Sequence, residues 1–465
     1  MPSAIGIPGL YPVSLGGGTA LYTTVVTNDA ELATALTTDG GDTFIVAGAY
    51  TIDTDAVGAM NTTPRHFVGA GRQGQGTGPF AGPGVIIEFV GAGGSITSLN
   101  FSAGLTESEG VEWENVSMFS STASVSAFLV GLYSAKNLNL NGGSVTFIGL
   151  SDSLNVVNCS FVNGSAGSVG FFGCTGLVNC SVGSTTAGEG AFTGFFICEQ
   201  LDNCSVYYEA GAQGASVNAF QFCIGLSNCR ADFSLVTSFS GGTNLAYNAC
   251  TDLNNCRAIG PSIGAIASLS GFVGCFQMAN AQATSFDVNF DDCSRMANCR
   301  SLQGVFAATG THFLNCRTMS GCEMDGSGDA AATDGFTNCN EMTTCRAIAA
   351  TRHGFTNCTD VSASRAFGCG GNGFLSVAQI SACFSNANTL EGFFDCTLMA
   401  GCDATANGGD GFSACAVVSS LNAVGNTGVG YASNIIMSSC AGVANIGGPT
   451  DGGNLVFDPV TTLGA

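Results

Sequence analysis

The sequence predicts an all-β solenoid, in which short strands are wound into coils that stack in parallel, with a short helix at the N-terminal end. Three observations carry that expectation. From about residue 170 a template, Phe-x-x-Cys-x-x-apolar-x-x-Cys, recurs thirteen times, first as Phe171, Cys174, Leu177 and Cys180. From Phe336 its opening aromatic returns every 19 residues, at Phe355, Phe374, Phe393, Phe412 and Tyr431, and a fixed period of this size marks one structural unit per repeat. The composition agrees: 68 of 465 residues are Gly, 45% are hydrophobic and only 9% are charged, a mix found neither in disordered acidic tails nor in ordinary enzymes.

Residues 1–26, rich in Gly and Pro, are expected to form an arm suited to attachment. Asn28 can cap a short helix with Glu31 as its capping-box partner, and Leu32, Ala35 and Leu36 fall on one face, as a plug for an open end requires. Asp39-Gly40-Gly41-Asp42 reads as a turn into a first core strand at Thr43-Phe44-Ile45-Val46-Ala47. The solenoid is expected over 27–455, fitting the template poorly over 60–125 and regularly from 171 to 440, with a tail at 456–465. No capping helix is evident at Leu455-Val456-Phe457, and an uncapped apolar end needs a partner.

A helix cannot carry the template, because nine residues at about 100° each would put its Phe and its closing Cys on opposite faces. Brief strands joined by bends can, with one residue per strand pointing inward. Equivalent residues of stacked coils then form columns. Phe171 and Phe195 share one, Leu177, Leu201 and Leu226 another, and the cysteines two more: Cys174, Cys198 and Cys223 in the first, Cys180, Cys204 and Cys229 in the second. Asn179, Asn203, Asn228, Asn255 and Asn298 stand immediately before the second Cys, where stacked amides can bond one another as a ladder. Asp334-Gly335, Asn372-Gly373 and Asp410-Gly411 read as tight corners where Gly takes positive φ.

These coils resemble those of the right-handed parallel β-helix proteins, the pectate-lyase-like superfamily that includes phage tailspikes and polysaccharide-degrading enzymes. The resemblance covers most of the chain and implies the right-handed parallel β-helix, since the coils here run from 18 to 27 residues whereas left-handed β-helices are built from strict hexapeptides. It transfers no catalytic residue.

The net charge of −22 excludes a nucleic-acid binder, which needs a basic stripe. No run of apolar residues is long enough to span a membrane, and the first basic residue is Arg65, so neither membrane insertion nor a secretory signal peptide is expected. The 23 cysteines are spaced Cys-x5-Cys and are replaced at Ala281, Ser364, Val377 and Leu421. Buried free thiols tolerate that pattern, zinc knuckles and paired disulfides do not, and no metal or cofactor is expected. Gly69-Ala70-Gly71-Arg72-Gln73-Gly74 matches a dinucleotide fingerprint, but Gln75-Gly76-Thr77-Gly78-Pro79 cannot form the helix that would follow it. Gly408-Gly409-Asp410-Gly411 and Gly370-Gly371-Asn372-Gly373 are similar to calcium nonapeptides without keeping the acidic position.

For glycan cleavage the best acid/base candidates are Glu112 and Glu114, on one face of a strand, beside Glu107, Glu109 and Trp113, the only tryptophan. A solvated strand edge explains them equally well. The only lysine is Lys136, and His66, His312 and His353 are well separated. Arg230, Arg257, Arg300, Arg346 and Arg365 each follow the second Cys position, so alternation points them outward as a stripe: an interface, an acidic-ligand groove, or charges that meet nearby Asp and Glu.

The leading expectation is a structural or receptor-engaging component of a phage-like particle, a decoration protein, spike or fibre, made in the host cytoplasm and carried on the virion. It would be a homotrimer, docked to other virion proteins by its N-terminal arm, with cell-surface polysaccharide as a further ligand. A polysaccharide depolymerase and a filament-forming surface adhesin are the alternatives.

Overall fold

In the template coils the residue that follows a left-handed bend points into the core, and this explains the three-residue spacing. In one coil of the computed structural model, Asn315 (φ 53°), Thr318 (φ 52°) and Gly321 (φ 64°) precede the inward Cys316, Met319 and Cys322. A strand alternates its faces every residue, so inward positions three apart require a phase change, which the bend supplies. Asn, Asp and Gly recur at these bends because they tolerate positive φ.

The structure describes residues 11–15, 18–22, 24–38, 41–53, 65–70, 84–90, 95–96, 99–100, 111–120, 124–125, 129–143, 148–163, 167–184, 191–208, 211–213, 216–239, 242–261, 269–302, 310–327, 333–448, 450 and 461–462. The chain divides into two units, Met1–Ala231 with Ser238–Gly242, and Asp232–Thr237 with Thr243–Ala465. Each is built from parallel strands stacked coil upon coil, and the strand winding is that of a right-handed parallel β-helix.

In the first unit, Tyr11–Leu15 and Gly18–Tyr22 pair as an antiparallel hairpin. Thr24–Val26 then pairs in parallel with Thr43–Ile45, so the sheet begins before the helix. That helix, Asp29–Thr37, is the one helix among the described residues. Asn28 Oδ1 accepts from Glu31 N at 3.0 Å, Glu31 Oε2 accepts from Thr27 N at 2.7 Å, and Leu32, Ala35 and Leu36 are buried. Its C-terminal carbonyls are held by Arg65, which donates to Ala35 O, to Thr38 O at 2.9 Å and to Leu36 O at 3.0 Å. A buried cation there complements the helix dipole. Successive coils follow, with Phe171, Phe195 and Phe220 stacked at centroid distances of 5.1 and 5.0 Å.

In the second unit the ring column runs from Tyr247 through Phe272, Phe290, Phe313, Phe336, Phe355, Phe374, Phe393 and Phe412 to Tyr431. Adjacent centroids lie 4.5–5.3 Å apart, with planes within 8° of parallel. After the last full coil, Thr461–Thr462 pairs with Ala441–Gly442; Leu455, Val456 and Phe457 lie outside the described residues.

All 23 cysteines are buried thiols. Each serves as a small apolar residue whose S–H reaches the carbonyls exposed by a bend: Cys316 Sγ lies 3.3 Å from Leu314 O and 3.6 Å from Phe290 O. In the first unit Cys174, Cys180, Cys198, Cys204, Cys223 and Cys229 are packed in the same way. Cys229 Sγ lies 3.4 Å from Ser227 O and 3.7 Å from Leu201 O, and its neighbour Arg230 N donates to Cys204 O at 2.9 Å, which sets Cys229 one coil beyond Cys204. Polar residues that stand at the cysteine slots, Ser364 and, three residues after Tyr431, Asn434, bond in the same way, whereas Ala281, Val377 and Leu421 keep only the packing. Ser364 donates to Ser362 O at 2.9 Å, and Asn434 donates to Phe412 O at 3.2 Å.

The corner glycines differ from expectation. Gly335, Gly373 and Gly411 are not among the positive-φ residues. They are required by the close approach of coils: a Cβ on Gly335 would stand 2.5 Å from Gly354 O, and one on Gly411 2.7 Å from Gly430 O. The left-handed bends fall instead on residues such as Asn338, Asn357 and Ala387.

Candidate functional site

Three strands of the first unit bring its candidate catalytic residues together. Arg65–Gly69, Val111–Glu114 and Ser134–Lys136 are neighbours in one sheet, with Glu112 in register with His66 and Ser134, and Glu114 with Val68 and Lys136. Alternation puts Glu112, Glu114, His66 and Lys136 on the outer face, half-buried or exposed. The contacts run diagonally: His66 Nε2 lies 3.5 Å from Glu114 Oε2, and Lys136 Nζ lies 3.9 Å from Glu112 Oε2. Asn115 Nδ2 donates to Glu114 Oε1 at 3.2 Å. Both carboxylates are therefore engaged by neighbours on the same face, each with its side chain 30% exposed.

Trp113 points the other way. It is fully buried and stacks on Phe67 at 4.6 Å, so it offers no platform for a sugar beside the two carboxylates. Of the remaining members of the sequence cluster, Glu107 and Glu109 lie outside the described residues, as do residues 71–83 of the Gly-rich loop.

The other histidines belong to the second unit. His312 is buried in a polar inclusion, where Asn289 Nδ2 lies 2.6 Å from Ser301 Oγ and Ser301 Oγ lies 2.7 Å from His312 Nδ1. His353 Nδ1 accepts from Asn372 N at 2.9 Å, and burial holds the ring below its usual pKa. At the calcium-like corners, Asn372 Oδ1 accepts from Glu391 N at 3.1 Å and Asp410 Oδ1 from Val429 N at 2.8 Å. Among the described residues no group of three or more His, Cys, Asp or Glu is placed to hold a metal ion.

The asparagine column is longer and less uniform than the template implied. Asn137, Asn158, Asn179 and Asn203 each donate to the asparagine one coil earlier, at 2.9, 3.2, 3.2 and 2.6 Å, and the run ends at Asn115. The coil of Cys229 departs from the pattern: Asn228, immediately before that cysteine, turns aside to Asp202 Oδ1 at 3.1 Å, while Cys229 itself stays buried. The bend can change its hydrogen-bond partner because it is exposed, whereas the thiol is fixed by packing. Asn255 and Asn298 keep the left-handed bend, at φ 54° and 52°. A second, buried run that the template did not contain joins Asn388, Asn407, Asn426 and Asn445 at 2.9 Å per step. Its signal was present as Asn at a strict 19-residue interval.

The arginine stripe in the second unit forms a mixed column, Arg257, Gln282, Arg300, Glu323, Arg346 and Arg365 in register. Glu323 bridges Arg300 at 3.3 Å and Arg346 at 3.0 Å. Exposed ion pairs of this kind contribute little stability.

No family model matches the chain, and no curated protein matches its sequence. Among solved structures it is similar to the A-module of the Azotobacter vinelandii mannuronan C-5 epimerase AlgE6, at 12% identity and TM-score 0.24 over 90% of this chain and 91% of that one. It is similar to tailspike protein 3 of bacteriophage CBA120, at 11% identity and TM-score 0.23 over 99% of this chain and 64% of that one, so it spans less than two thirds of the tailspike. It is also similar to the Streptococcus pneumoniae surface adhesin PfbA, at 7% identity and TM-score 0.22 over 80% of this chain and 96% of that one. The resemblance to pectate-lyase-like β-helix proteins holds at the level of the fold, which rests on the strand pairing itself.

Proposed function

We propose that the chain is a structural or receptor-engaging component of a phage-like particle, a decoration protein, spike or fibre, and that it acts as a homotrimer on the virion. The observation that carries this reading is the parallel ring column of the second unit. Ten coils sharing one packing solution make a stiff shaft with little for a substrate to rearrange. Other virion proteins would hold it by the N-terminal arm, and cell-surface polysaccharide would be its ligand. Sedimentation equilibrium of the purified full-length protein tests the assembly: a discrete trimer supports the reading, and a stable monomer overturns it.

The second reading is a polysaccharide depolymerase. One observation favours it: Glu112 and Glu114 share an exposed face with His66 and Lys136, a carboxylate pair with a basic partner for each. Glu112→Ala with Glu114→Ala should abolish cleavage of a surface glycan if this reading holds. Unchanged cleavage sinks the assignment.

A further inference from the structure

The second unit carries a column of thiols whose spacing matches a particular metal chemistry. Cys250, Cys275, Cys293, Cys316, Cys339 and Cys358 each precede a strand of one sheet, and those strands are in register from Thr251 through Phe276, Ser294, Arg317 and Asn340 to Thr359. All six are buried thiols. The rise between them is measured by the rings three residues upstream, whose centroids from Tyr247 to Phe355 are 4.5, 5.0, 4.8, 4.6 and 4.8 Å apart. The thiols also sense one another. Burial pushes the Cys293 thiol up, and the thiols of Cys275 and Cys316 push it further.

A metal held in line between two thiolates, with each bond about 2.3 Å, spans about 4.6 Å, the rise of one coil. The register sets the thiols of consecutive coils one rise apart, so a cation between two rungs takes two sulfur ligands and the coordination number is two. That geometry with thiolate ligands selects soft cations. Charge then selects among them. A monovalent ion between two thiolates leaves a net negative charge in an apolar core, which is costly, whereas a divalent ion leaves none.

We propose that this thiol column binds a soft divalent cation of the mercuric type, held linearly between the thiols of consecutive coils, with three ions filling six thiols. Each ion forms two metal–sulfur bonds and displaces two S–H protons to solvent. No electron is transferred and the product is neutral.

The test uses the full-length protein, loaded with mercuric chloride, freed of loose metal by a competing small thiol, and counted by native mass spectrometry. Two triple variants remove the same number of thiols. Cys275→Ser, Cys316→Ser and Cys358→Ser leave no two thiols of the column adjacent, while Cys316→Ser, Cys339→Ser and Cys358→Ser leave Cys250, Cys275 and Cys293 consecutive. The second variant should retain one more ion than the first. Equal counts overturn the proposal, as does a native wild-type protein that takes up no ion. If either variant fails to fold, the same two sets of positions are changed to Ala instead and the ion counts are compared in the same way, equal counts again overturning the proposal.

Discussion

The side-chain amide of Asn338 donates to Asn315 Oδ1 one coil earlier, at 3.4 Å, and Asn315 donates in turn to the carboxylate of Asp291, also at 3.4 Å. The run in the first unit has the same polarity, from Asn203 down to Asn115 and then to Glu114. In both, aligned amides end on a negative group, an arrangement in which each bond polarises the next. Burial pushes the Asp291 carboxyl above its usual range while the Asn315 amide holds it down.

Asn315 combines this bond with a left-handed bend at φ 53°, and two substitutions separate the contributions. Asn315→Gly keeps the bend and loses only the hydrogen bonds, for about 1 kcal/mol. Asn315→Val loses both and adds about 1–2 kcal/mol of backbone strain. Urea denaturation of the two variants should rank them in that order.

The thiols should behave as packed donors. Cys316→Ser, which can bond as Ser364 does, should be milder than Cys316→Ala, expected to cost about 1–2 kcal/mol through a small cavity and an unpaired carbonyl. Thiol titration should count close to 23 groups in denaturant, the full complement of buried thiols, and far fewer in the native protein.

His353 should make stability depend on pH. Its Nδ1 accepts from Asn372 N, with Asp334, Arg352 and Glu391 as the charged groups around it. Its folded pKa lies below the unfolded value of about 6.5, so the unfolded chain binds the proton first. This contribution is complete above about pH 6.5 and is lost as pH falls through the lowered folded pKa. His353→Asn keeps an acceptor without a titrating ring, and its melting temperature should fall less than that of the wild type between pH 7 and pH 5.

Gly335→Ala should be costly despite an ordinary φ, because the new methyl meets Gly354 O at 2.5 Å. A loss of about 1–3 kcal/mol is expected for such overpacking. A corner glycine needed only for its conformational freedom would give no such loss at this φ, and thermal unfolding distinguishes the two.

Arg65→Met should loosen the N-terminal helix, since three carbonyls lose their donor. The cost is about 2 kcal/mol, the upper end of the range for a cation at a helix C-terminus. Hydrogen exchange should show faster amides across Asp29–Thr37 and little change in the second unit.

The ring column and the buried thiols were legible in the sequence because one residue type recurs at one slot, and stacking in register turns such recurrence directly into contact. Asn28 and Glu31 were legible because capping is local. Trp113 was not, because alternation separates two faces without saying which is inside. The corner glycines were misread for a related reason: the clash that requires Gly335 comes from Gly354, in the next coil. Beside Cys229 the template placed Asn228 correctly on the bend but could not show that its amide leaves the column for Asp202, since both acceptors lie one coil away. Arg65 gave no signal at all, being 27 residues or more from the carbonyls it holds.

The strict interval from Phe336 to Tyr431 makes length an editable property of the second unit. Gly373 and Gly392 occupy equivalent corners, each facing the carbonyl of the next coil's glycine. Excising residues 374–392 would join Gly373 to Phe393 with every column still in phase, and the shaft would shorten by one rise, about 4.8 Å. Duplicating the same 19 residues would lengthen it by as much, so recombination between repeats could retune its reach without passing through a misfolded intermediate sequence.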